Sequence, residues 1–145
     1  MKSIVIGSDH AGFAYKKAIK TYLTNKGYEV QDVGAQSEDS VDYPDFAHAV
    51  SNIIIEKKAE LGILICGTGN GVCITANKHQ EIRAGLCWDA EIAKLIRQHN
   101  DANVMCLSGR FTSEVTAISC VDAFITTDFE GGRHQRRVDK MACTV

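Results

Sequence analysis

Apolar residues recur along this chain in two alternating rhythms, short unbroken runs and helical spacings, and the alternation itself predicts the elements. Lys2 to Ser8 is a short β-branched run closing in Gly7-Ser8-Asp9-His10-Ala11-Gly12, the pattern of a buried strand and a turn. Tyr15, Ala18, Ile19, Tyr22 and Leu23 then fall at i, i+3, i+4, i+7 and i+8, with Lys16, Lys17 and Lys20 on other faces and Gly27 placed to end the helix. Tyr28 to Val33 reads as a second strand. A polar stretch from Gly34 to Tyr43 leads to Pro44, after which Phe46, Ala49, Val50, Ile53 and Ile54 repeat at helical spacing. Leu61 to Cys66 is apolar almost throughout, which suits a central parallel strand covered on both faces.

The second half repeats the rhythm. Gly67-Thr68-Gly69-Asn70-Gly71 follows the third strand at once, and Val72 to Lys78 reads as the next helix. Ile82 to Cys87 is a fourth strand, Asp89 caps a helix carrying Ile92, Ala93, Leu95 and Ile96, and Val104 to Leu107 is a fifth strand. Val115, Ile118, Val121 and Ile125 mark another helix, and a last short one starts near Gly131-Gly132. Strands and helices alternate at spacings too long for hairpins. The economical architecture is therefore α/β: a Rossmann-like three-layer α/β/α sandwich around a five-stranded parallel sheet.

Composition narrows this to one domain over 1–145. The 145 residues are 45% hydrophobic and 23% charged, with one Pro and 12 Gly, which leaves no material for a linker or low-complexity tail. A formal net charge of −2 gives no footprint for nucleic acid or an anionic membrane, so an anion must be bound by local design. No apolar stretch approaches the ~20 residues of a membrane span, and the start is too short for a signal-peptide core. These readings predict a cytoplasmic protein with no membrane or nucleic-acid partner. Six cysteines, at 66, 73, 87, 106, 120 and 143, show no zinc-ligand spacing and are expected as reduced thiols, with no metal.

Ligands of such sheets bind outside the carboxyl ends of the strands. The turns expected there carry Asp9-His10, Cys66 with the glycine loop, and Ser108-Gly109-Arg110. The loop is not a P-loop, having no Lys after it, and Val72 stands where a dinucleotide fingerprint needs Gly or Ala and where a cysteine phosphatase needs Arg. What remains is a nest of N–H donors beside a thiol. Cys66 reads equally as a reactive group or as the last core residue of its strand. His10, next to Asp9 in a glycine-containing turn, is placed for acid–base work, whereas His48 and His79 have no polar constellation around them. Arg133 and Arg137, at i, i+4, would project together toward a phosphate dianion or simply form a solvated basic face, with Arg136 pointing elsewhere.

Taken in order, Ser8-Asp9-His10-Ala11-Gly12, Asp42-Tyr43-Pro44, Ile65 to Gly71, Ala76-Asn77-Lys78, Arg97 to Asn103 and Glu130 to Val138 resemble the type B ribose-5-phosphate isomerases of the ribose/galactose phosphate isomerase family, almost end to end. The resemblance implies a metal-free, cofactor-free aldose–ketose isomerase of the pentose phosphate pathway, interconverting ribose 5-phosphate and ribulose 5-phosphate through a cis-enediolate. It implies Cys66 as the base, held by Thr68, with the N–H groups of the Gly67, Gly69, Asn70 and Gly71 loop on the enediolate oxygen. Asp9, His10 and His99 would assist furanose opening, Tyr43 and Asn100 would line the pocket, and Arg110, Arg133, His134 and Arg137 would bind the phosphate.

One conflict sharpens the expectation. His99 and Asn100 follow a helix that returns to the amino edge of the sheet, so they should lie opposite Cys66 in the same chain and reach a site only in a second subunit. That predicts a homodimer with two shared sites, with pairing into tetramers left open. The alternatives are the same chemistry on a hexose 6-phosphate and a phosphosugar-binding regulator without turnover.

Overall fold

The computed structural model describes residues 1–143; residues 144 and 145, the end of the expected 1–145 domain, lie outside the described residues. The first strand, β1, runs over Ile4–Ser8 and is followed by a 3-10 turn at His10–Gly12. The chain continues as α1 (Phe13–Asn25), β2 (Val30–Asp32), α2 (Tyr43–Ile55), β3 (Leu61–Cys66) and α3 (Asn70–Ala76). It closes with β4 (Ala84–Leu86), α4 (Ala90–Gln98), β5 (Val104–Ser108), α5 (Glu114–Thr126) and α6 (Arg133–Asp139).

All pairings are parallel, in the order β2-β1-β3-β5-β4. The edge strands β2 and β4 are shorter than the Tyr28–Val33 and Ile82–Cys87 runs suggested, because an edge strand has a single neighbour to hold its ends. Ile4 lies beside Leu61 and Ser8 beside Ile65; Gly62 lies beside Val104 and Cys66 beside Ser108. The three central strands therefore end level with one another, and everything following them collects on one rim.

Side chains alternate across the sheet as strand geometry requires. Ile4, Ile6, Ile63, Ile65, Met105 and Leu107 face the α1, α4 and α5 layer, packing on Ile19, Leu23, Ala93, Cys120, Val121 and Phe124. Val5, Leu64, Cys66, Val104 and Cys106 face α2 and α3, against Ala47, Val50, Ile54, Val72 and Ala76. Each fully buried Leu, Ile or Phe contributes about 1.5–3 kcal/mol over its exposed state, so the double-sided central strands anchor the rim. Among the described residues no helix is long and apolar enough to cross a membrane.

Lys16 departs from the expected pattern. Expected on a polar face, it is 2% exposed, in line with the buried Ile19 and Leu23 at i+3 and i+7 of α1. Its Nζ lies 2.8 Å from both carboxylate oxygens of Asp32 at the end of β2. Helical periodicity along α1 carries no trace of a carboxylate sixteen residues away that offsets the buried charge.

Candidate active site

The chain leaves β1 toward β2 on one side and reaches β3 on the other, so the strand order reverses at β1/β3 and a crevice opens at their carboxyl ends. Asp9 and His10 leave β1 there. Asp9 is 6% exposed; its N–H donates to the Ile65 carbonyl at 3.2 Å, and its carboxylate caps the turn by accepting the Gly12 N–H at 3.1 Å. The Nδ1 of His10 accepts the Val41 N–H at 3.2 Å, which places the ring proton of the neutral imidazole on Nε2.

Cys66 is both things the sequence left open. It is 4% exposed in the α2/α3-facing core and is also the residue from which the glycine loop departs. The loop is clamped by β5: the Gly109 N–H donates to the Cys66 carbonyl at 2.9 Å, and the Gly67 carbonyl accepts the Arg110 N–H at 3.1 Å and the Ser108 hydroxyl at 2.7 Å. A trans peptide points its N–H opposite to its C=O, so the same clamp turns the Gly67 and Thr68 amides away from β5 into the crevice. Thr68 Oγ1 accepts the Asn70 N–H at 3.2 Å. Gly69, at φ +80°, makes the tight turn into α3, and Gly71 lies against the Tyr43 ring with no room for a Cβ. Arg110 Nη1 is 3.3 Å from where a Cβ on Gly67 would stand, and the Ala11 carbonyl lies against Gly109. Asp9, His10, Tyr43, Cys66, Gly67, Thr68, Gly69, Asn70, Gly71 and Arg110 thus share one rim.

His99, Asn100, Arg133, His134 and Arg137 do not join them. His99 caps the carboxyl end of α4, and the Glu130 N–H donates to the Gln98 carbonyl at 3.1 Å, bringing α6 against it. The His99 and His134 rings stack at 4.3 Å between centroids, 15° from parallel, and Glu130 Oε1 lies 3.9 Å from His99 Nε2. Burial and the charges of His99 and Arg133 push the His134 pKa down against the opposing pull of Glu130. Arg133 and Arg137 are exposed on α6, and Asn100 borders a cavity of about 630 Å³ that also touches Arg83, Ile96 and Val138. This cluster sits at the amino rim, since Asn103 precedes β5 and its carbonyl accepts the Gly62 N–H at 2.8 Å. Four strand residues, roughly 13 Å, separate that level from Cys66. Within one chain Arg133, His134 and Arg137 therefore lie on the rim opposite Arg110, because the loop before α6 and His134 itself meet the end of α4.

Two features were not legible in advance. His99, Glu130 and His134 bring possible metal-ligand atoms within 4.8 Å of one another, a set no sequence spacing announces because it forms only where α4 and α6 meet. Their nearly parallel rings do not aim nitrogens at one point. His48 and His79, expected without polar neighbours, bond to each other, Nδ1 to Nε2 at 2.7 Å. All six cysteines are free thiols.

A doubly wound parallel sheet with a thiol, an imidazole and inward-turned amides at the β1/β3 switch point defines a class, the α/β enzymes that act on small molecules at the carboxyl rim. Within that class, a family model described as ribose/galactose isomerase matches residues 4–141, and the chain belongs to this family. It is 44% identical over 139 residues to the ribose-5-phosphate isomerase B of Escherichia coli, covering 96% of this chain and 93% of the relative. Its fold superposes on a crystal structure of a ribose 5-phosphate isomerase from Thermotoga maritima with a TM-score of 0.96 at 48% identity, covering 97% of each chain. It also matches the ribose-5-phosphate isomerase B of Mycoplasma genitalium with bound ribulose-5-phosphate, TM-score 0.92 at 47% identity, covering 96% of this chain and 93% of that one.

Proposed function

We propose that this chain interconverts ribose 5-phosphate and ribulose 5-phosphate at a site that two copies of it build together. The observation that carries the reading is the division of one complementary set of groups between opposite rims. The carboxyl rim holds a thiol, oxyanion donors and a histidine; the amino rim holds two more histidines, His99 and His134, and two of the three arginines expected for the phosphate. A second copy presenting its amino rim to the Cys66 crevice would complete two equivalent sites, as two-fold symmetry requires. The bound ribulose-5-phosphate in the Mycoplasma genitalium relative supports the substrate class.

In this mechanism the Cys66 thiolate takes the proton from C2 of the open-chain aldose, and the electron pair moves into the C1 carbonyl to give a cis-enediolate. The proton on the C2 oxygen passes to the C1 oxygen, and the thiol returns its proton to C1. A proton beside a carbonyl is far too weakly acidic for a thiolate in water, so the enediolate must be stabilised as it forms; preorganised donors such as the Gly67 and Thr68 amides each contribute about 3–4 kcal/mol. His10, donating from Nε2, and His99 from the second copy act on the ring oxygen and anomeric hydroxyl during furanose opening, with Asp9 orienting the sugar. Tyr43 and the second copy's Asn100 close the pocket, and Arg110 with Arg133, His134 and Arg137 of that copy hold the phosphate. No step needs a metal or redox cofactor.

The test is ribulose 5-phosphate formation from ribose 5-phosphate by purified protein in chelator, alongside Cys66→Ala. Turnover in the parent and a fall of several orders in a folded mutant supports the assignment. No turnover moves the reading to hexose 6-phosphates, and silence there too moves it to a phosphosugar-binding protein.

A further inference from the structure

A buried ion pair at the edge of this fold has no evident reason to be ionic. The Lys16 side chain is 2% exposed and that of Asp32 14%; the ammonium lies 2.8 Å from each carboxylate oxygen with Phe13 beneath it at 5.3 Å, and the exposed Lys20 Nζ lies 3.4 Å from Asp32 Oδ2. Desolvation consumes most of the attraction in such a pair, and packed apolar residues of similar volume usually stabilise a fold as well or better. What apolar residues could not supply is the third contact: Asp32 Oδ1 accepts the Gly34 N–H at 2.9 Å. The Gly34 carbonyl in turn accepts the Ser8 N–H at 2.8 Å, and the Ala35 N–H donates to the Ser8 carbonyl at 2.7 Å. Both backbone groups of the residue before Asp9-His10 are thereby tied to the start of the 34–42 loop. The far end of that loop supplies the Val41 N–H that donates to His10 Nδ1.

We propose that Lys16 and Asp32 are positioning residues for His10: the pair holds the Gly34 amide, Gly34 and Ala35 hold Ser8, and the loop so anchored delivers the Val41 amide that keeps the His10 proton on Nε2. This rests on the reading of His10 as a donor in furanose opening, but its first readout does not. Without the Val41 contact both neutral tautomers become accessible, and the form with its proton on Nδ1 presents a lone pair where a donor is needed. Lys16 keeps the carboxylate in place and charged; Asp32 does the holding.

Two double variants separate the parts. Lys16→Met with Asp32→Asn removes both charges but keeps an oxygen for the Gly34 amide; Lys16→Met with Asp32→Leu removes the acceptor as well. Nitrogen-15 NMR of the His10 ring should match the parent in the first and move toward mixed tautomers in the second. The second should also lose roughly tenfold or more in kcat with ribose 5-phosphate, within the range of a misplaced acid–base group, and with little change in KM. Lys16→Met with Asp32→Ala, which adds no bulk, replaces the leucine variant if that one does not fold. An unchanged His10 signature in the variants lacking the acceptor overturns the proposal. A shifted signature with unchanged kcat upholds the positioning and overturns the catalytic reading of His10.

Discussion

Two chains, each dead by itself, should restore activity when mixed. Cys66→Ala removes the proposed base from the carboxyl rim, and His99→Ala removes the imidazole proposed to act in ring opening from the amino rim. The two positions are separated in one chain by the length of β3 and β5, since Cys66 lies beside Ser108 at one end while Gly62 and Asn103 meet at the other. If sites form between rims of different copies, a mixed dimer has one site with both defects and one with neither. Equal amounts of the two variants, unfolded together and refolded, reassort at random so that about half the dimers are mixed, and each mixed dimer carries one intact site of two. The expected recovery is about a quarter of the parental rate, against a background several orders lower. The assay is ribulose 5-phosphate formation, with mass spectrometry of the intact assembly to count mixed dimers. Mixed dimers present in the expected proportion with no activity above the separate variants would refute the shared site. Each chain would then have to complete its own site, across a gap this fold does not close.

Three further outcomes follow from the geometry. Gly69→Ala meets Leu86 and the Leu107 carbonyl at φ +80°; it should cost more than about 1 kcal/mol, read as a lower Tm in a thermal melt, and an unchanged melt would show that the loop is not held as described. The His134 titration followed by proton NMR should have its midpoint below 6.5, and Glu130→Gln should move it further down by removing the one neighbouring charge that raises it; an upward movement would contradict the stacked arrangement. Burial works against the Asp32 carboxylate, but the Lys16 and Gly34 hydrogen bonds and the charges of Lys16 and Lys20 outweigh it and hold its pKa below 3.8. A carboxyl group depressed in the folded state stabilises fully above its unfolded pKa and loses that contribution as pH falls through its native value. The parent Tm should therefore fall below about pH 4, and less steeply in the Lys16→Met/Asp32→Asn variant.

The local sequence determined the elements and their order. The apolar run Leu61 to Cys66 forms β3 with the boundaries it implies, Asp89 caps α4 through the Ile92 N–H at 2.9 Å, and glycines 131 and 132 precede α6. Such features depend on periodicity, capping and backbone freedom within a few residues, so one chain read in order is enough to find them. The same holds for the carboxyl-rim groups, because a parallel sheet delivers whatever follows its strands to one edge. Tertiary structure alone decided the rest. Lys16 is buried because Asp32 waits at the end of β2; the Gly67 and Thr68 amides face the crevice because Ser108, Gly109 and Arg110 take the opposing carbonyls; and His134 stacks on His99, with Arg133 and Arg137 exposed on the same short helix, because the chain leading into α6 is tied to the end of α4. Each of these is a contact between residues far apart in sequence, whose free energy exists only once the sheet has brought both partners together.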